Sequence, residues 1–466
     1  MNRRTTARLV ALLALFEVGC GGGATPPLGP VTPPVATTKP SPSPSPSPLL
    51  AADWPEYHRT SARAGVGPAA PALGNPQVAW KIGLDGAVYA SPLIVAGHVL
   101  VATENNTVYS LDLFSGAAVW QTHLGDPIAA SSLPCGNISP VTGITGTPAV
   151  DVTSGRLYVV AFIVGFRHVL FTVSLVDGKV LGAQDIDPPG SHPTVQQERG
   201  ALALGSGYVY VPLGGLYGDC GQYNGYLVAV PLGGGTVLSY RVPSSREAGI
   251  WAASGPTIAA SGSVYVTTGN GASLSSFDFS NAVVKLSWDL SAVQSYFAPA
   301  NWVSLNDTDT DLGSVGAALL PSLGVVVAVG KEGVAYLLGA DQLGGIGGQI
   351  ASQRACSGAW GGMAWSGSTV FIPCADGLVA LSVTSTTIGV AWKAAHPVLG
   401  SPIVAASEVW AIEPASGNLY ALDPSSGAVV YSTNVGGAEH FSTLAATEGY
   451  VVAPAGASVV AISTAG

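Results

Sequence analysis

A unit of four short apolar runs, separated by Gly, Ser, Asn or Asp, recurs along this chain and limits the folds open to it. One copy passes through Val88-Tyr89-Ala90-Ser91-Pro92-Leu93-Ile94-Val95 and His98-Val99-Leu100-Val101-Ala102. It continues as Val108-Tyr109-Ser110-Leu111-Asp112 and Gly116-Ala117-Ala118-Val119-Trp120. A second reads Ser401-Pro402-Ile403-Val404, Val409-Trp410-Ala411-Ile412, Leu419-Tyr420-Ala421-Leu422-Asp423 and Gly427-Ala428-Val429-Val430-Tyr431. Each run has strand length and is bounded by turn residues, so each unit reads as one four-stranded sheet. A single such sheet cannot bury both faces and must stack on its neighbours.

Following the bulky ending of the outermost run gives eight repeats: Val78-Ala79-Trp80, Val119-Trp120, Val180-Leu181, Val237 to Tyr240, Ser295-Tyr296-Phe297, Gln349-Ile350-Ala351, Val390-Ala391-Trp392 and Val429-Val430-Tyr431. The inner three runs also form eight sets, near 88–113, 145–176, 200–230, 251–287, 313–339, 358–383, 399–423 and 441–463. The first outer run precedes its set and the last set lacks one. The expectation is therefore an all-β, eight-bladed β-propeller of four-stranded antiparallel blades. Its N-terminal strand completes the C-terminal blade and leaves no open edge. Seven blades with one misassigned segment is the competing count. Only 9% of residues are charged and the formal net charge is −10. No basic stripe is available to neutralise phosphates, which argues against nucleic-acid binding.

The first 52 residues read differently. Arg3, Arg4 and Arg8 precede a short apolar stretch from Leu9 to Phe16, and Val18-Gly19-Cys20 resembles a bacterial lipobox. Residues 1–20 are expected to be a lipoprotein-type signal peptide ending at a lipidated Cys20. Residues 21–52, with Ser41-Pro42-Ser43-Pro44-Ser45-Pro46-Ser47-Pro48, read as an extended disordered tether. The propeller then spans 53–466. The other four cysteines allow three pairings. Cys356–Cys374 flank one hairpin-like stretch, which leaves Cys135–Cys220. Both disulfides suit an exported, membrane-anchored lipoprotein in the periplasm or at the cell surface.

The repeats resemble the pyrroloquinoline quinone (PQQ) repeat, whose core runs roughly Val-Tyr-Ala-Leu-Asp-x-x-x-Gly-x-x-x-Trp. The carriers are Val108 to Asp112 with Gly116 and Trp120, and Leu419 to Asp423 with Gly427 and Tyr431. The opening Asp53-Trp54-Pro55-Glu56-Tyr57-His58-Arg59, with Arg63 and Gly65, resembles the start of the same superfamily. The Trp of the repeat is expected to lie flat between blades, and the Asp and Gly of the repeat to make the turn between the third and fourth strands.

That superfamily includes quinoprotein dehydrogenases and a β-barrel assembly lipoprotein, so the resemblance implies two kinds of function. The first is a monomeric, lipid-anchored scaffold that binds an envelope protein or small ligand, touches the membrane only through its anchor and binds no nucleic acid. The alternative is a PQQ- and calcium-dependent alcohol or sugar dehydrogenase. For that alternative the resemblance implies Trp251 as the floor under the quinone, Asn270 in Thr267-Thr268-Gly269-Asn270 and Glu198 as calcium ligands, Lys331 as a cofactor contact and Asp278 as the catalytic base. The adjacent-cysteine ring of the quinoprotein alcohol dehydrogenases is absent. A separate acidic run, Asp307, Asp309 and Asp311, spaces carboxylates like a calcium loop, without the Glu an EF-hand requires. No Gly-x-Ser-x-Gly elbow, phosphate loop or zinc-type His pair occurs.

Overall fold

The computed structural model describes residues 53–396, 400–447 and 449–465. Cys20 and the signal and tether segments lie outside them. Eight antiparallel sheets follow one another along the chain. Blade 1 comprises Leu93–Val95, His98–Ala102, Thr107–Asp112 and Ala118–His123. Blade 8 comprises Ala445–Thr447, Tyr450–Pro454 and Ser458–Ser463, and its fourth strand is Gln77–Gly83 from the other end of the described chain. The expected closure is thus present. In blade 5 the outer strand is Ala351–Arg354, so Gln349 and Ile350 precede it. The short strand Gly345–Ile346 pairs in parallel with the outer strand of blade 4. Among the described residues no helix is long and apolar enough to cross a membrane.

Inner strands are apolar on both faces and buried throughout, as in Val325–Ala328, because each blade is covered on two sides. Outer strands alternate, as in Ala118–His123, because one face meets solvent. The blades are joined by one repeated contact. The Trp80 ring packs on the turn of blade 1 and donates its Nε1–H to Leu113 O at 2.8 Å. A Cβ on Gly116 would lie 2.8 Å from that indole, and Gly116 has φ +70°. Trp120 meets Gly178 of blade 2, and Trp392 meets Gly427 of blade 7, in the same way. Asp112 shapes the first of these turns by accepting from Phe114 N, Ser115 N and Ser115 Oγ. Only glycine satisfies both the left-handed backbone and the close approach.

Residues 53–66 close the channel from inside. Trp54 exchanges backbone hydrogen bonds with Ile94 of blade 1, and Pro55 O accepts from Val150 N of blade 2. Arg63 donates to Leu202 O and Pro256 O, next to the inner strands of blades 3 and 4. His58 contacts Met363 O and Thr443 Oγ1, while Gly65 O accepts from Val404 N of blade 7. Trp54, Tyr57, His58 and Arg63 are fully buried. Glu56 lies 3.2 Å from Arg63 Nη1 and supplies the counter-charge. Burial holds His58 neutral, with its pKa lowered to about 3.

Removing the inter-blade ring should be costly at the seam where the termini meet. Trp80→Ala is expected to lose about 3–5 kcal/mol in urea unfolding. Val119→Ala, on the half-exposed face of an outer strand, should stay within about 0.5 kcal/mol. Equal losses would show that the indole does not hold the seam.

Candidate binding cavity at one end of the channel

In each blade the chain enters the innermost strand and leaves the second strand at the same end of the ring, because the two are antiparallel. Loops there gather residues from distant repeats. Arg199, Trp251, Trp360 and Phe441 come from segments ahead of innermost strands. Asn270 and Lys331 come from segments after second strands. Together they line a cavity of about 470 Å³, with Asn137, Tyr217, Asp219, Tyr223, Asp309, Asp311 and His440 completing its wall.

The Thr-Gly-Asn turn brings three of these groups together. A Cβ at Gly269 would lie 2.4 Å from Asp311 Oδ1 and 2.9 Å from Trp251 Nε1, so glycine lets both close on the backbone. Asn270 N donates to Asp311 Oδ1 at 2.6 Å, and the Asn270 side-chain amide faces the cavity with no hydrogen bond to another described residue. Lys331 Nζ lies 2.5 Å from Asp311 Oδ2 and 2.9 Å from Asp309 Oδ1. Burial raises the Asp311 carboxyl against the opposing pull of Lys331. For Lys331, burial is outweighed by the two carboxylates, and the ammonium is held above its usual value. The lysine ammonium is also 5.8 Å from the Trp251 ring centre.

On the opposite wall Arg199 Nη1 is 2.7 Å from His440 Nε2, and Nη2 donates to Asn137 Oδ1 at 3.3 Å. Its guanidinium lies 5.4 Å from the Phe441 ring, which in turn is 6.0 Å from Trp251. Behind this wall sit two buried acids. Glu104 accepts from Gly143 N at 2.5 Å and Thr145 Oγ1 at 2.9 Å. Burial pushes its pKa up to about 7. Glu198 accepts from Gly146 N, and burial and then Glu104 hold it well above the usual carboxylate range. Its Oε1 has no partner.

The sequence-derived candidates therefore divide. Trp251, Asn270 and Lys331 meet in the cavity. Glu198 stands behind its wall. Asp278 does not line it; its carboxylate accepts from Ser280 N and Oγ and shapes a local turn. The carboxylates lining the cavity are Asp309 and Asp311, from the acidic run, and Asp219. Asp307 ends the short helix Trp302–Asp307 and is exposed, so the three aspartates do not converge. Among the described residues the only three His, Cys, Asp or Glu ligand atoms within 4.8 Å of one another belong to Cys356, Cys374 and Asp376, and those sulfurs are bonded. Arg199, Trp360, His440 and Phe441 escaped the sequence reading. Their signal is positional, a large or charged side chain just ahead of an innermost strand.

Both expected disulfides are present. Cys356–Cys374 lies within blade 6 and its approach. Cys135–Cys220 joins the segment carrying Asn137 to the loop carrying Tyr217, Asp219 and Tyr223, and so holds two parts of the cavity wall together.

A family model for outer membrane protein assembly factor BamB matches residues 77–318. The chain belongs to this family of PQQ-like propellers. Its fold is similar to quinohemoprotein alcohol dehydrogenase from Comamonas testosteroni, with a TM-score of 0.69 and 16% identity over 89% of this chain and 81% of that one. A europium-containing methanol dehydrogenase gives 0.66 and 14%, over 87% and 90%. BamB from Moraxella catarrhalis gives 0.57 and 12%, over 83% and 97%. At these identities the likeness shows the fold alone. No curated protein matches the chain.

The buried acids set a pH dependence. Folding raises Glu104 from its ordinary 4.5 to about 7, so the folded chain binds more protons between those values. Its contribution to stability falls as pH rises from about 4.5 to about 7. Glu104→Gln should remove a decline of about 3 kcal/mol across this window, measured by urea unfolding at several pH values. Parallel wild-type and variant profiles would contradict it.

Proposed function

We propose that this chain is an extracytoplasmic binding propeller of the bacterial envelope, lipid-anchored through Cys20, whose ligand or partner engages the cavity at the open end of the channel. The observation that carries the reading is the cavity itself. Aromatic faces and fixed polar groups from six blades converge above a channel that residues 53–66 fill. Concave sites of mixed aromatic and polar lining are where propellers and other rings bind ligands. Two disulfides support an oxidising compartment.

The dehydrogenase reading has one observation on its side, the meeting of Trp251, Asn270, Asp311 and Lys331. The remaining residues do not fit a calcium-bound quinone. Two of the cavity carboxylates, Asp309 and Asp311, share the Lys331 ammonium. Glu198 does not line the cavity and forms no trio of ligand atoms with other acids.

Two measurements test the proposal. Full-length chain mixed with PQQ and calcium, then desalted, should retain no stoichiometric quinone by absorbance and show no dye-linked alcohol oxidation. Quinone that is retained, and lost in Asn270→Ala, would replace the binding reading with the dehydrogenase. In cells, Cys20→Ala should move the chain from the membrane fraction to the soluble exported fraction; unchanged membrane association would overturn the anchor.

A further inference from the structure

Arg199 brings a positive charge to the cavity without a carboxylate in contact. Lys331, the other cation there, is closed off by Asp309 and Asp311. Among the described residues no Asp or Glu oxygen lies within 4.0 Å of the Arg199 guanidinium. Its hydrogen-bond and ring contacts are His440, Asn137 and Phe441, while Tyr89 and Glu104 act on its charge from farther off. As acceptor from the guanidinium, His440 Nε2 belongs to a neutral imidazole, and burial followed by the charge of Arg199 lowers its pKa to about 4. The nearby Glu104 is already engaged by Gly143 and Thr145. The guanidinium is thus held in place by uncharged groups, with part of its five-donor fork unused. A partly desolvated charge calls for a partner, and this fork matches a carboxylate in bidentate geometry.

The rest of the cavity narrows the chemistry. Trp251 and Trp360 offer flat apolar faces, and Tyr217, 67% exposed, extends that surface to the rim. Among the described residues the Asn270 amide has no hydrogen-bond partner, and Asp219 and Asp309 add carboxylate acceptors to the lining. Acceptors there favour hydroxyl donors and repel a second carboxylate. A ligand carrying one acid at one end, an apolar face and hydroxyls elsewhere satisfies all three walls.

Building on the binding role of this cavity, we infer that it takes the terminal unit of an acidic saccharide, a uronate whose carboxylate meets Arg199, whose ring lies on the aromatic wall and whose hydroxyls reach Asn270 and these two acids. The exposed Tyr217 supports the next sugar outside the mouth.

Isothermal titration of the full-length chain with tri-galacturonate and with its fully methyl-esterified form tests this. The acid should bind about tenfold or more tightly than the ester, as expected for one charge-assisted contact. Arg199→Gln should bring the two to equal affinity, Arg199→Lys should restore part of the difference, and Trp251→Ala should weaken both alike. Thermal unfolding of each variant confirms that it is folded. Equal binding of acid and ester that Trp251→Ala weakens would overturn the acidic-sugar assignment and leave the cavity a binding site. Binding undiminished by Trp251→Ala and Lys331→Ala would overturn both readings. Absence of binding by either probe, or an acid preference that survives Arg199→Gln, would overturn the assignment.

Discussion

The fold depends on an indole lying across the glycine of the next blade's turn. A four-stranded blade has two apolar faces and no stability of its own, so what matters is how one sheet is fixed to the next. Trp80 on Gly116, Trp120 on Gly178 and Trp392 on Gly427 fix it three times with the same geometry. Each contact joins burial of a large ring to a hydrogen bond from its N–H to a turn carbonyl, so the ring is both apolar filler and directional clip. The first of these clips is also the seam of the circle. Trp80 reaches blade 1 from a strand that belongs to blade 8, which is how the two ends of the described chain become neighbours.

Closing the ring creates a second problem, a channel lined by the edges of short inner strands. The chain solves it with its own opening segment, which visits blades on every side of the axis. Filling the axis with backbone hydrogen bonds and an Arg63–Glu56 pair leaves the cavity end as the place where side chains from several blades face a common space. The cavity therefore inherits a rigid floor. Its polar groups are held by partners in the frame, as Asp311 is by Asn270 N and Lys331.

Much of this frame was legible in the sequence because it rests on local, repeated chemistry. Bulky outer-strand endings and turn glycines count the blades, and the unmatched run at Trp80 announces the closure. The flanked stretch between Cys356 and Cys374 identifies one disulfide and leaves the other. The site was legible only in part. Trp251, Asn270 and Lys331, named from motif likeness, line the candidate cavity. Asp278 was named because it falls where the quinoprotein dehydrogenases place a catalytic Asp, but its carboxylate accepts from Ser280 instead of facing the cavity. Asp311 takes the place beside Trp251 because Gly269 permits close contact, which no spacing rule encodes. Arg199 and His440 lie 241 residues apart in the chain and 2.7 Å apart in space, and only the circular arrangement of the blades makes them partners. The plug was equally hidden, since His58 meets Met363 across 305 residues.

The bond between Cys135 and Cys220 gives the molecule a sense of where it is. It spans two loops at the mouth and touches none of the indole clips that hold the blades. With that bond reduced the indole clips remain, while the two loops that bear Asn137 and Tyr217 lose their covalent tie. The finished shape of the mouth therefore depends on oxidation, whereas the clips between the blades do not.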